Sequence, residues 1–411
     1  LRQPSLPPWL PDAIRAEAAS LSARSSYHFA DMAPAAVEAL YGKTLPLSAS
    51  KLDCFAGCRY AFFLQYGLRA LPWKQAEFDA PLFGSFVHDV LEHVVREAQA
   101  QGGFAALTDA QVAALTERCM DACMQTYLPQ GDARASREGY LSTRNRQEAA
   151  AVVLDVAREL RLSQFTPAAE ELTFAPGGQM PPIVYHASRG DGLLTGKIDR
   201  VDTYEKDGTT YFRIVDYKTG RKDFSYTDLL YGKDLQMLLY LFALQENQKK
   251  AGHPMQPAGA LYVPGRCDMI RLEPGEDAGE ADAERRKQLR RKGLVLQDEA
   301  ILQAMEHYDG EPQYLPVQLK KDGLTGDLAT PAQLAALERF VTGQVAAMID
   351  EILSGKTQPN PVDRGPADSA CRRRDYSSAC HKDVCAVSPR RFAAVKADEF
   401  WQEIERRQRH C

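Results

Sequence analysis

The chain has no run of about 18 uncharged apolar residues, which excludes an ordinary membrane-spanning helix. Its start, Leu1-Arg2-Gln3-Pro4, carries no apolar secretion-signal core, so the sequence points to the cytoplasm. An initiator methionine is missing, which suggests a fragment cut from something longer, although processing would look the same. No Gly-x₄-Gly-Lys-Ser/Thr phosphate loop occurs, which excludes a P-loop motor. An excess of positive charge is lacking too. The formal charge of −5 argues against a protein that coats DNA with its whole surface, because such binding neutralises phosphates with Lys and Arg. A local basic groove remains compatible with it.

With 411 residues, 45% apolar and 26% charged, the chain can bury a core large enough for one big domain or two. Its nine cysteines are wrongly spaced for a disulfide framework. Cys119 and Cys123, four apart in a helical pattern, and Cys267 beside a strand read as core or surface thiols. Cys54 and Cys58 near the front and Cys371, Cys380 and Cys385 near the end are better placed as ligands. Two basic clusters could line a groove: Arg285-Arg286-Lys287 with Arg290-Arg291-Lys292, and the tail from Arg372 to Arg409. For the first, the plain alternative is a solvated helix face.

The periodicity divides the chain into five stretches. Residues 1–45 are an N-terminal extension or linker, Pro-rich and then helical. Residues 46–165 are helical: Ser48 can cap a helix through Leu52 and Phe55, and further helices are expected over 82–100, 106–128 and 146–164. Over 166–270 the period becomes that of strands, at 170–174, 183–187, 193–204, 209–217 and 258–263, with a helix over 229–248. Lys206-Asp207-Gly208 joins two strands into a hairpin. Residues 271–358 read as a helical insertion, with helices at 279–307 and 331–355, and 359–411 form the cysteine-containing end. The class is α/β, with a mixed central sheet flanked by helices, an N-terminal helical region and C-terminal helices.

The hairpin carries the chemistry. Asp199 lies in Gly196-Lys197-Ile198-Asp199-Arg200-Val201-Asp202, and the next strand reads Ile214-Val215-Asp216-Tyr217-Lys218-Thr219-Gly220. Alternation along a strand sends Asp216 and Lys218 to one face, and the turn can bring Asp199 near it. Two carboxylates so placed can hold a hard cation through oxygen, and an adjacent Lys can orient the attacking water. A lone Asp-x-Lys is common by chance, and its plain reading is a pair of solvent-facing strand residues. Context favours a site, because the triplet ends an apolar strand before Thr219-Gly220. Gly84-x₃-His88 puts His88 and Glu92 on one helical face, and Gln236 and Tyr240 share another. His88 alone would read as a satisfied core histidine; with the hairpin it reads as a ligand.

In that order, Gly84-x₃-His88, Gly196-x-Ile198-Asp199-Arg200, Asp216-Tyr217-Lys218-Thr219-Gly220 and Gln236-x₃-Tyr240 resemble the RecB-type nuclease domain of the PD-(D/E)XK superfamily. Ser48-x-Ser50-x-Leu52, Cys58-Arg59-Tyr60-Ala61-Phe62-Phe63, Leu261-Tyr262, Arg291-Lys292-Gly293-Leu294-Val295-Leu296 and Leu319-Lys320-Lys321-Asp322-Gly323 extend the resemblance to the C-terminal region of the AddB family. Members of that family are second subunits of bacterial ATP-dependent helicase/nucleases.

The resemblance implies a metal-dependent exonuclease that degrades single-stranded DNA during double-strand break processing and recombinational repair, beside an AddA-type helicase-nuclease subunit. It implies Mg²⁺ (or Mn²⁺) held by His88, Asp199, Asp216 and the carbonyl of Tyr217, with Lys218 in catalysis and Gln236 and Tyr240 positioning the strand or the site. It also implies a 4Fe–4S cluster held by one front cysteine and three spaced Cys-x₂-Cys-x₅-Cys. Cys58, Cys371 and Cys380 fit three of those positions, but the middle one falls on Arg374, which cannot replace a thiolate. Cys385 or Cys54 could supply the fourth ligand, the site could bind a lesser metal, or it could stay empty with the ends held by packing alone. Two other classes are a stand-alone Cas4-like exonuclease, which is about half this length and lacks the 270–355 stretch, and a catalytically silent DNA-binding module.

Overall fold

The computed structural model describes residues 9, 11–17, 29–71, 80–127, 137–266, 278–321, 323–364, 370–371, 376–380 and 389–409. A short helix α1 (residues 12–17) precedes α2 (Pro34–Tyr41), β1 (Thr44–Leu47) and α3 (Ala49–Gly57). Ser48 starts α3 as its sequence predicts: Oγ accepts from the Lys51 amide at 3.3 Å, pairing one of the N–H groups that a helix start leaves open. Helix α4 (Arg59–Phe62) and a π-helical turn, Phe63–Gly67, follow. Then come three long helices, α5 (Ala80–Ala100), α6 (Asp109–Tyr127) and α7 (Arg137–Leu162). On α5, Phe83, Val87, Val90, Leu91, Val94 and Ala98 recur every three or four residues and are all buried, a stripe that packs the three helices into one layer.

The strands of the next stretch are β2 (Thr166–Phe174), β3 (Ile183–His186), β4 (Asp191–Leu194), β5 (Gly196–Lys206) and β6 (Thr209–Lys218). Helices α8 (Tyr226–Leu230) and α9 (Gln236–Lys250) lead to β7 (Gln256–Pro264), α10 (Ala278–Leu289), β8 (Lys292–Leu296) and α11 (Glu299–Met305). The hairpin β9 (Val317–Lys320) and β10 (Gly323–Gly326), strand β11 (Leu328–Ala329), and helices α12 (Pro331–Leu353), α13 (Ser377–Cys380) and α14 (Ala397–Gln408) complete the described chain.

Six strands make the central mixed sheet, in the order β11-β8-β7-β6-β5-β2. β5 and β6 pair antiparallel through a two-residue turn at Asp207 (φ 51°) and Gly208 (φ 76°), the left-handed pair that follows the twist of a hairpin. β6 and β7 run parallel, which requires a crossover, and α8 and α9 supply it. Alternation sorts the side chains of β6. Phe212 and Ile214 join the main core with α9 and α12, whereas Val215 and Tyr217 join the α5–α7 layer. Helices thus cover both faces, as the α/β class requires, and none of those described is long and apolar enough to cross a membrane.

Helix α7 begins at Arg137 instead of near 146 and β2 at Thr166 instead of 170, the stretch between the last two expected helices holds β9–β11, and three further differences have a clear cause. The strand expected over 193–204 is two strands in different sheets: β4 pairs with β1 and β3, and β5 enters the central sheet after Thr195. Period-2 alternation continues across that point, and it cannot say which sheet a residue joins. The helix expected over 229–248 breaks at 231–235, where Gly232 (φ 77°) and Asp234 (φ 55°) turn the chain. The helix expected over 279–307 is α10, β8 and α11, because Gly293-Leu294-Val295-Leu296 is a short apolar run that periodicity alone cannot assign.

Candidate active site

The register of the hairpin builds the site. Arg200 pairs with Val215, so Asp199 stands beside Asp216 on the neighbouring strand. The Asp199 carboxylate accepts the Tyr217 amide at 2.9 Å, which fixes Oδ2 at the end of β6. His88 arrives from α5: its Nε2 is 2.6 Å from the Tyr217 carbonyl oxygen and its Nδ1 is 3.3 Å from Asp199 Oδ2. Gly84 lets that helix come close, because a β-carbon there would sit 3.1 Å from Thr219 Oγ1. Burial disfavours charge on the His88 ring, but Asp199, Asp216 and the Tyr217 carbonyl outweigh it and raise the proton affinity.

Asp216 is buried, and its two oxygens are treated differently. Oδ1 accepts from Gln236 Nε2 at 2.9 Å, while Oδ2 pairs with Lys218 Nζ at 2.5 Å. Burial first, and then the Asp199 charge, push the Asp216 pKa up to about 6 against the pull of Lys218 and His88. Gln236 opens α9 and clamps the pair, since its Oε1 also accepts from Lys218 Nζ at 3.3 Å. Tyr240, one turn on, stacks edge-on against Phe174 with ring centroids 5.1 Å apart, and burial pushes its pKa up to about 12. Gly196 is required beneath it, because a β-carbon there would fall 2.6 Å from the Tyr240 ring.

One residue of this centre escapes the sequence reading. A ligand atom each from His88, Asp199 and Glu171 of β2 lies within 4.8 Å of the other two. In sequence, Glu170-Glu171 looks like an exposed strand pair. Only the register of β2 on β5, which the sequence does not announce, shows which of the two faces Asp199.

Comparison with known proteins agrees with this geometry. A model of the PD-(D/E)XK nuclease superfamily matches residues 46–381. The chain belongs to the PD-(D/E)XK nuclease superfamily. It is also 31% identical over 375 residues to the B-subunit of the ATP-dependent helicase/deoxyribonuclease of Acetivibrio thermocellus, covering 89% of this chain and 32% of that protein. The proteins of the same name from Thermoanaerobacter sp. and Clostridium kluyveri are each 31% identical, covering 90% of this chain and 33% of theirs. The chain thus spans about a third of the length of the curated relatives it matches. Nucleases of this superfamily use divalent metal ions, and the donors fit one. They are carboxylate and carbonyl oxygens with one imidazole, the donor set of a hard or borderline divalent ion.

Beside Lys218 the nuclease has a polar cleft of about 410 Å³, with Arg221, Lys222, Tyr262, Arg266, Lys287 and Lys292 among its lining residues. The first basic cluster therefore splits. Lys287 and Lys292 face this cleft, whereas Arg290 is half-buried on the Leu315 and Val317 carbonyls, and Arg291 is fully buried. Arg291 donates to Glu159 at 2.9 and 2.6 Å and also pairs with Asp155. Arg200 and Arg213, equally buried, share Asp202, and Arg200 also donates to the Tyr217 hydroxyl at 2.6 Å. Three arginines thus balance Asp155, Glu159 and Asp202 beneath the site. In the basic tail, Arg390 holds the Ala56 and Asn360 carbonyls, and Arg406 and Arg407 pair with Glu403.

The cysteines fall into three groups. Cys119 and Cys123 are buried in the α5–α7 core. Cys58, at the α3–α4 junction, lies in a small apolar cluster against which Cys380 packs, and the Tyr60 hydroxyl donates to the Ala379 carbonyl at 3.0 Å. Cys54 is half-buried, its thiol pointing at Gln65 Oε1, and Cys371 is half-buried. Cys267, Cys385 and Arg374 lie outside the described residues.

Proposed function

We propose that this chain is the metal-dependent deoxyribonuclease module of an AddAB-type helicase/nuclease, hydrolysing single-stranded DNA during double-strand break processing and recombinational repair. The observation that carries the reading is the convergence of His88, Asp199, Asp216, Lys218 and the Tyr217 carbonyl at the ends of β5 and β6. The similar proteins are named as B-subunits of a helicase/deoxyribonuclease, which supports the substrate class and an AddA-type partner. A bound Mg²⁺ (or Mn²⁺) would activate water and neutralise charge on the phosphate. His88, Asp199, Asp216 and the Tyr217 carbonyl would hold it.

The remaining work falls to the chain's own groups. Lys218, a quarter exposed beside the basic cleft, is positioned to orient the attacking water and to offset charge that grows on the phosphate oxygens. Gln236 fixes both Asp216 and Lys218, so neither rotates away before substrate arrives. Tyr240 presses on Gly196 and holds the start of β5 in place. The cleft offers cations to the phosphates of a single strand, while the buried Tyr262 ring lies beneath the Lys218 and Lys222 ammonium groups and supports them. Cleavage by this piece needs no ATP. For the cysteines, the reading is a cluster-free or labile iron–sulfur site, because Arg374 stands at a ligand position and polypeptide contacts already join the two ends.

Labelled single-stranded DNA incubated with and without Mg²⁺ tests the activity. Mg²⁺-dependent cleavage that Asp216→Ala abolishes supports the site, and normal cleavage by that variant overturns it. For the cluster, anaerobically purified protein should carry little iron and sulfide and lack a broad band near 400 nm, and Arg374→Cys should raise both. Stoichiometric iron in the unmodified chain would refute that reading.

A further inference from the structure

We infer that Glu171 is a ligand of the active-site cation, and that in the metal-free protein Lys197 holds its carboxylate in check. The inference rests on the nuclease reading and adds to it a fourth side chain. On β2 the flanking pairs Glu170 with Arg200 and Leu172 with Ile198 place Glu171 opposite Asp199. Like charges directly opposite across two strands repel, and a sequence under no other demand avoids the arrangement. Here it is reinforced: Glu171 takes a left-handed backbone (φ 52°), which a non-glycine residue adopts only at a cost that its surroundings must offset. Its side chain is only 17% exposed, so water does little to relieve the repulsion.

A plain surface ion pair would explain the Glu171 contact with Lys197, but not the rest of the arrangement. Lys197 is itself 51% exposed and has ample solvent, whereas Glu171 is turned inward, with a carboxylate oxygen within 4.8 Å of ligand atoms of both His88 and Asp199. The neighbouring strand β6 adds a third carboxylate. Asp216, 6% exposed, stands beside Asp199, with Lys218 Nζ at 2.5 Å from its Oδ2. Glu171 and Asp199 thus meet at His88, with Asp216 beside Asp199 on the next strand and two lysines alongside. A divalent cation satisfies all of them, and Glu171 reaches it by exchanging the Lys197 ammonium for the metal. Lys197 is then released toward solvent at the mouth of the site, where a phosphate would meet it.

Calorimetric titration of the full chain with Mn²⁺, without DNA, reads the affinity directly. Glu171→Gln should weaken binding about tenfold or more, the range seen when a group that shapes a metal site is lost. Lys197→Met should do the opposite and tighten binding about two- to fivefold, the value of a part-exposed ion pair that no longer competes. The double variant should match Glu171→Gln alone. An affinity for Glu171→Gln within twofold of the parent overturns the inference, as does weaker binding by Lys197→Met. Asp199→Asn separates the two levels. If Asp199→Asn loses Mn²⁺ while Glu171→Gln keeps it, only Glu171 is misassigned; if both keep it, the metal centre itself is misread. Circular dichroism of each variant confirms that the comparison is between folded proteins.

Discussion

Replacing Asp216 with Asn should make the metal-free protein more stable at neutral pH while abolishing cleavage. Asp216 is forced to ionise in a buried position beside Asp199, and its pKa stands at about 6 instead of 3.8. A carboxylate with a raised folded-state pKa stabilises the fold only while protonated. Its penalty is absent below pH 3.8, grows as pH rises, and is complete above about 6. A shift of that size corresponds to about 3 kcal/mol at pH 7.5 and roughly half as much at pH 5. Asn keeps the Oδ1 acceptor for Gln236 but turns a donor toward Lys218, so the net gain should be smaller, about 1–2 kcal/mol at pH 7.5. Urea unfolding in EDTA at both pH values gives the quantity needed, the stability difference between variant and parent. That difference should shrink by roughly 1 kcal/mol or more on moving to pH 5, because the parent then recovers by taking up a proton. Added Mn²⁺ should reverse the ranking, since only the parent gains from binding. A variant less stable than the parent in EDTA at pH 7.5, or a difference that ignores pH, would refute the reasoning.

Lys218→Ala should lower turnover by about 10²–10⁴-fold with Mn²⁺ affinity changed only a few-fold, since the ammonium acts on the reacting phosphate; single-turnover cleavage and calorimetry read the two separately. Glu159→Gln should cost about 3 kcal/mol in urea unfolding, because it removes one of the two carboxylates paired with the buried Arg291 and the one paired with Arg213. Burial alone would raise the Glu159 pKa, but Arg291, Arg213 and Arg200 hold it at about 2, so its contribution is complete above about 4.5 and fades as pH falls toward 2. Lys287→Glu with Lys292→Glu should weaken single-strand binding and flatten its salt dependence by about 0.7 in log–log slope for each phosphate no longer neutralised, measured by fluorescence anisotropy. Gly293→Ala should destabilise by about 2–3 kcal/mol in thermal unfolding, because φ is 141° and the new carbon would lie 2.0 Å from the Ala260 carbonyl oxygen.

The parts of the molecule that sequence made legible are those set by short-range rules. The Asp207-Gly208 turn, the Ser48 cap and the alternation of β6 each follow from residues within one turn or one strand, and each stands as expected. The proximity of His88 to Asp199 needed the motif order as well, because 111 positions separate them in the chain. What stayed hidden depends on partners distant in sequence. Glu171 could be placed only with the β2–β5 register, and β8 could be told from a helix only by the β7 edge that receives it. Arg291 sits in a run of basic residues that invites a DNA-binding reading. Glu159 and Asp155, from a helix more than a hundred residues away, turn it inward instead.

β8 has a consequence for how small such an enzyme can become. It pairs with β7 over Gly259 to Tyr262, and β11 in turn covers β8, so the stretch after β7 closes the working sheet instead of hanging from it. Trimming the chain at residue 270 and rejoining it near 330 would leave the β7 backbone as a raw edge, ready to pair with a second copy. The same cut would remove Arg291, taking the ion-pair partner from Asp155 of α7 and leaving Glu159 to Arg213 alone. A more compact nuclease on this plan must therefore seal β7 and neutralise α7 by other means, and attempts at a minimal version should alter both places in the same step.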